Sequence, residues 1–170
     1  MHIETEHLII TDLTPDMAEA VHRNSLDEDV RRFVPDEVFE TIDAARDAVA
    51  WLIGCQSEAE GPFIHPVLLK TGENIGYVQA CRIDTGWEIG YHIARAHTGK
   101  GYATEAVRAF VPVMLDRLAI DAIDGICLEE NAGSCRVLEK SGFLLVAAET
   151  APYQGVDRPI RRYRFSRTAQ

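Results

Sequence analysis

From residue 63 onward the chain changes its hydrophobic period. Residues 63–70, 74–84 and 87–94 read as β-rich runs parted by Thr71-Gly72-Glu73 and Thr85-Gly86, which have the composition of hairpin turns. Strands joined so closely must pair antiparallel, because a parallel pair needs a crossover of about a dozen residues or more. An all-parallel doubly wound sheet is therefore a poor description of the middle of the chain. A glycine-punctuated loop follows. Ala103, Ala106, Val107, Phe110, Met114 and Leu118 then return to helical spacing, which predicts a helix over 102–118. Pro112 lies inside it and removes the N–H that would reach the Arg108 carbonyl, so a kink is expected there.

The remaining elements frame this segment. Residues 7–13 read as a strand, and Thr14-Pro15 supplies a cap and a first residue for a helix reaching Ser25. A short helix over 27–33 stops at Val34-Pro35. Thr41 caps a longer helix with an apolar face of Ala44, Ala45, Ala48, Val49, Leu52 and Ile53, ending near Gly54. Beyond the central helix come a strand over 124–128, a helix over 131–140, and strands over 143–148 and 160–166. No repeat or linker divides the 170 residues. The expectation is one domain over 1–170 of α/β (α+β) class, with a mixed, mainly antiparallel twisted sheet flanked by helices.

Charge narrows the partners. The formal net charge is −10 at pH 7, which argues against nucleic acid, whose phosphates require a basic stripe. Residues 1–60 hold 15 acidic and 4 basic side chains, whereas residues 61–170 hold 12 and 13. The acidity of the first third predicts a cationic ligand there. Arg158, Arg161, Arg162, Arg164 and Arg167 fall on the last strand, and their expected partners are those same acids. The cysteines (Cys55, Cys81, Cys127 and Cys135) and the histidines show no metal-ligand spacing, so no metal is expected and the thiols read as reduced. Neither a signal-peptide core nor an apolar run of about 18 residues is present, which predicts a cytoplasmic protein with no membrane partner.

The chemistry concentrates in Thr98-Gly99-Lys100-Gly101-Tyr102-Ala103-Thr104-Glu105-Ala106, placed between a strand and a helix. Glycines let the backbone approach a ligand closely, and the first N–H groups of a helix are unpaired and electropositive, so the run suits a pyrophosphate. A Walker loop fails, because Gly101 rather than Ser or Thr follows Lys100. A dinucleotide-binding GxGxxG matches at Gly99 and Gly101 but has Thr104 at the third small position, and antiparallel strands precede it.

A third reading covers the whole chain. Thr98-x-x-Gly101-x-Ala103 resembles the acetyl-CoA-binding signature of the GNAT N-acetyltransferases, Arg/Gln-x-x-Gly-x-Gly/Ala. More narrowly, Glu88-Ile-Gly-Tyr91, Gly99-Lys-Gly-Tyr-Ala-Thr-Glu105, Asn131-Ala-Gly-Ser134 and Glu139-Lys-Ser-Gly-Phe143 resemble the RimJ/RimL-like branch, whose founding members acetylate ribosomal-protein N-termini. Thr98 departs from the signature, which weakens a side-chain contact to the pyrophosphate.

The resemblance implies direct attack of a deprotonated amine on the thioester of acetyl-CoA. Glu88 would be the base, directly or through water, and Ser134 the acid for the leaving thiolate. Gly99, Lys100, Gly101, Tyr102, Ala103 and Thr104 would hold the pyrophosphate, Asn131 the pantetheine arm, and Ile93 and Ala94 would lend backbone groups to pantetheine and the thioester oxygen. The acceptor would be a cationic amine, a protein N-terminus in the closest branch. A polyamine, aminoglycoside or amino acid is the alternative, and a CoA-binding regulatory domain without transfer activity is a reading from another class. A homodimer is the default among oligomers.

Overall fold

Two neighbouring strands, β4 (Asn74–Ile83) and β5 (Gly86–Ile93), explain the layering of the molecule. They pair antiparallel, with Tyr77 opposite His92, Val78 opposite Tyr91, Gln79 opposite Gly90, Ala80 opposite Ile89 and Cys81 opposite Glu88. Side chains alternate across a strand. One face therefore carries Val78, Ala80, Ile89 and Tyr91, and the other carries Tyr77, Gln79, Cys81, Glu88 and His92. The first face is closed by Ala106, Val107, Phe110 and Met114 of α4 (Tyr102–Leu118) and by Cys135 and Leu138 of α5 (Ala132–Lys140), which together form the main core. The second, polar face lies under α1 (Ala18–Ser25), α2 (Glu28–Phe33) and α3 (Ile42–Cys55). Its core is small: Leu13, Ala18 and Val49, with Val21 and Leu52 against them.

The structure, a computed structural model, describes residues 1–56 and 60–167. The other strands are β1 (His2–Glu4), β2 (Leu8–Thr11), β3 (Phe63–Leu69), β6 (Ala122–Leu128), β7 (Leu144–Tyr153) and β8 (Val156–Ser166). They form one sheet in the order β1-β2-β3-β4-β5-β6-β8-β7. Every pairing is antiparallel except β5 with β6, which is parallel and registered at the single pair Glu88–Asp124. No helix among the described residues is long and apolar enough to cross a membrane.

Several boundaries move. The first strand shrinks to Leu8–Thr11 and gains a three-residue partner, β1, too short to leave a periodic signal. Thr14 sits extended before a 3-10 turn, Pro15–Met17, but its side chain accepts no capping bond. Thr41 does cap α3, accepting from the Ala44 N–H at 3.2 Å. The central helix runs through Pro112 to Leu118 without a break. The last two strands extend well beyond 143–148 and 160–166 and meet in a tight hairpin at Gln154-Gly155, both at positive φ.

The arginines of β8 do not pair with the acidic first third. Arg158 meets Glu130, Arg161 meets Glu129, Arg162 meets Glu149, and Arg167 meets Asp116. Strand order explains the correction: β8 lies between β6 and β7, at the far end of the sheet from β1. Arg164 makes a bidentate pair with Asp124, at 2.7 and 2.9 Å, whose side chain is only 4% exposed. Removing the guanidinium would leave a buried carboxylate unpaired, so Arg164→Ala should destabilise the fold by about 2 kcal/mol. Thermal melting checks this; an unchanged midpoint would show the pair to be dispensable.

Candidate active site

The single β5–β6 pair creates a gap. Past Glu88 and Asp124 the two strands diverge while β5 stays bonded to β4 on its other side. Ala94 donates its N–H to the Ile75 carbonyl at 2.7 Å, and the alternation of an antiparallel ladder then turns the backbone groups of Ile93 and Tyr91 away from β4, into the gap. Of the two residues expected to lend backbone groups, Ile93 is therefore available, while the Ala94 N–H is already used. A cavity of about 690 Å³ follows the gap, lined by Glu88, Tyr91, Ile93, Asn131 and Ser134.

The same cavity reaches the glycine loop, where Gly99, Gly101, Tyr102, Ala103 and Thr104 form its wall. Gly99 and Gly101 have φ of 75° and 85°, the left-handed region that side chains disfavour. Gly101 is the N-cap of α4, and no atom lies within 4 Å of where its Cβ would stand. The space above it is open. The first intrahelical bond runs from the Glu105 N–H to the Gly101 carbonyl, at 3.0 Å, so the N–H groups of Tyr102, Ala103 and Thr104 have no partner within the helix. This end of α4 suits a phosphate. Thr98 turns its hydroxyl to the Arg95 carbonyl at 2.9 Å. Exposed Lys100 folds back to the Ala96 carbonyl at 3.3 Å, outside the cavity wall. The cradle is thus made of backbone, which fits the departure at Thr98.

Glu88 sits beside the gap on the polar face of β5. Burial pushes its carboxyl up to about 7, with the Ile126 N–H pulling the other way and Asp124 adding to the rise. On the opposite face, Tyr91 Oη lies 2.8 Å from Ser134 Oγ and donates to the Ser134 carbonyl at 3.0 Å. Burial raises the Tyr91 phenol far above its ordinary value, so it stays a neutral donor. Asn131 caps α5 by accepting from the Ser134 N–H at 3.1 Å, which fixes the turn that presents the Ser134 hydroxyl. Carboxylate and hydroxyl pair thus flank the gap from opposite sides of one strand, three residues apart.

Sequence reasoning passed over three residues. Tyr91 belongs to the motif that carries the resemblance, and its offset of three from Glu88 in a period-two strand places it on the other face. Glu37, on a 3-10 turn (Pro35–Glu37), has its carboxylate against Tyr77 Oη, and burial raises its pKa. Tyr153 reaches the cavity because the β7–β8 hairpin is longer than expected. Its Gln154 anchors to Asp36 at 2.8 Å. Gln-Gly at a hairpin tip was the available signal.

Comparison with known proteins agrees with this architecture. The family model described as "Acetyltransferase (GNAT) domain" matches residues 7–144. YnaD of Bacillus subtilis, described as an uncharacterized N-acetyltransferase, is 28% identical over 145 residues, 84% of this chain and 82% of that protein. Another relative from the same organism is matched over only 30% of its length. The crystal structure of a GNAT-family acetyltransferase from Bacillus anthracis superposes with a TM-score of 0.83 at 27% identity, covering 98% of both chains. RimL, described as a ribosomal L7/L12 α-N-protein acetyltransferase in complex with coenzyme A, superposes with a TM-score of 0.85 at 18% identity, again over 98% of both. With the family model spanning most of its length and the sheet, gap and glycine loop in place, this chain belongs to the GNAT acetyltransferase family.

Proposed function

We propose that the protein acetylates a primary amine, a polypeptide N-terminal α-amine in the first instance, by direct transfer within a ternary complex. One observation carries this reading: Glu88 and the Tyr91–Ser134 pair stand on opposite faces of β5 at the point where the sheet opens. Acetyl-CoA fits the residues present. Backbone donors at Gly101 to Thr104 suit its pyrophosphate, and the unpaired edge of β5 suits its amide-bearing arm. When bound, it supplies an activated acyl group and a thiolate leaving group.

The chain supplies position and proton traffic. An α-amine near pKa ~8 is largely protonated at neutral pH and must lose a proton before it can attack. Glu88, poised near 7, accepts that proton on the polar face. Ser134, held in place by its hydrogen bond to the neutral Tyr91 phenol, gives its hydroxyl proton to the departing sulfur from the other side, and the serine oxygen recovers a proton from water before the next turnover. Ile93 N–H faces the gap where the thioester oxygen would gather charge.

Mass spectrometry of peptides mixed with protein and acetyl-CoA is the direct test. Peptides should gain one acetyl group at the α-amine. Ser134→Ala and Tyr91→Phe should each slow that transfer about 10–100-fold while CoA still raises the melting temperature, and the double variant should cost little more than the worse single one. Stabilisation by CoA with no transfer to any amine would instead mark a CoA-binding regulatory domain.

A further inference from the structure

A second cavity, about 550 Å³, lies between the polar face of the sheet and helices α1 and α3. It shares Glu37, Tyr77, Gln79 and His92 with the catalytic cavity, so the two are separated only by that wall. Behind the wall the lining turns apolar: Val21, Phe39, Trp51, Leu52, Ile64 and Pro66. This side of the sheet has the small core, so α1 and α3 cover the strands without filling the space against them. Buried Asn74 also lines it, 8% exposed, and its side-chain Nδ2 has no hydrogen-bond partner in the structure.

We propose that this second cavity is the acceptor's side-chain subsite. It selects a primary amine with an apolar or aromatic body, the ammonium lying against the Glu37 carboxylate at the shared wall. The proposal rests on the acetyl-transfer reading above and specifies the class of acceptor. Size suits a small-ligand site, and burial against apolar walls supplies selectivity. Charge is consistent with it: among the described residues of the acidic first third, Asp29, Asp36 and Glu37 reach the walls of the two cavities. Within the second cavity itself the lining carboxylates are Asp36 and Glu37, and Asp36 is already bonded to Gln154, which leaves Glu37 for one ammonium in a chamber walled mainly by apolar side chains. The unpartnered Asn74 amide adds a donor for a carbonyl oxygen, which an N-terminal residue possesses and a simple arylalkylamine lacks.

The test uses the protein saturated with CoA for binding and with acetyl-CoA for transfer. Isothermal titration compares one peptide beginning with Phe or Leu against the same peptide beginning with Gly, and phenethylamine against ethylamine and spermidine. Apolar members should bind about 10–100-fold more tightly, the gain from burying one large side chain. Ala48→Phe, which adds bulk on the α3 wall, should reduce that preference at least tenfold while CoA still stabilises the variant. Glu37→Gln should weaken all the amines. A peptide advantage over phenethylamine identifies a polypeptide source and the reverse identifies a free amine; either supports the subsite. Equal affinity for Phe and Gly peptides together with equal affinity for phenethylamine and ethylamine, or tighter binding of spermidine, overturns it. Apolar-selective binding without acetyl transfer would leave the subsite standing and remove the catalytic reading instead.

Discussion

Glu88→Gln is expected to lower kcat by about 10²–10⁴-fold above neutral pH, the range in which a positioned base contributes. In the unsubstituted protein kcat/KM should rise with pH and bend near 7, where the Glu88 carboxyl loses its proton. The variant should lose that bend and rise only as the amine itself deprotonates. A bend near 7 that survives the substitution would assign the titration to another group. Stability should move the opposite way. A carboxyl whose folded pKa lies near 7 rather than near ~4.3 favours folding fully below the unfolded value, and that contribution disappears as pH rises through 7. Above 7 the largely buried anion costs about 3–4 kcal/mol relative to a neutral side chain. The Gln variant should therefore melt higher than the parent at alkaline pH and no higher at about pH 4. Loss of rate with gain in stability separates a poised base from a structural carboxylate, whose removal would lower both.

Gly101→Val carries the second large effect. At φ 85° a β-branched residue is strained by about 1–2 kcal/mol, so the loop would relax and turn the first N–H groups of α4 away from the cradle. Whatever side chain remained would project into the open space where a pyrophosphate would sit. Affinity for CoA should fall at least about 30-fold, more than loss of a single hydrogen bond would give. Calorimetric titration of CoA measures it, with far-UV circular dichroism reporting that α4 and the sheet persist. Parental affinity in a folded variant would mean that the phosphates bind elsewhere. Lys100→Ala, whose amine already turns to the Ala96 carbonyl, is a useful contrast because it leaves the backbone donors intact.

Much of the scaffold is legible in the sequence because it depends on local pattern. The hairpin turns at Thr71-Gly72-Glu73 and Thr85-Gly86, the Thr41 cap and the span of α4 follow from spacing and turn chemistry within a few residues. The glycine loop was equally local, and its two left-handed residues are where the chain needs them. What escaped was set by distant partners. The three-residue β1 exists only through its pairing with β2. The arginines of β8 and Arg167 just past it find their acids on β6 and the turn that follows it, on β7 and on α4, which no reading along the chain could distinguish from the acidic first third. Tyr91 and Ser134, 43 residues apart, meet only because α5 packs against the face that Tyr91 shares with Ile89. Ala94 illustrates the converse: its N–H belongs to a strand pairing with Ile75 that is invisible from composition. The excess of acid in the first third, read along the chain, gives no sign of the apolar side chains of Val21, Phe39 and Leu52 that line the second cavity in the same segment.

The lone Glu88–Asp124 pair divides the sheet into two parts, a five-stranded plate and a three-stranded one, that meet at this corner. The proposed base and its phenol ride on the first plate; the Asn131–Ser134 turn rides with the second. The two halves of the proposed chemistry thus belong to different parts of the sheet, held in alignment by the corner pair, by α4 and α5 beneath, and by the Tyr91–Ser134 hydrogen bond itself. A molecule lying lengthwise in the opening would touch both plates at once and act as a spacer. Setting the distance between proton acceptor and proton donor would then be part of what binding accomplishes, and the thioester's own carrier would tune the machinery that consumes it.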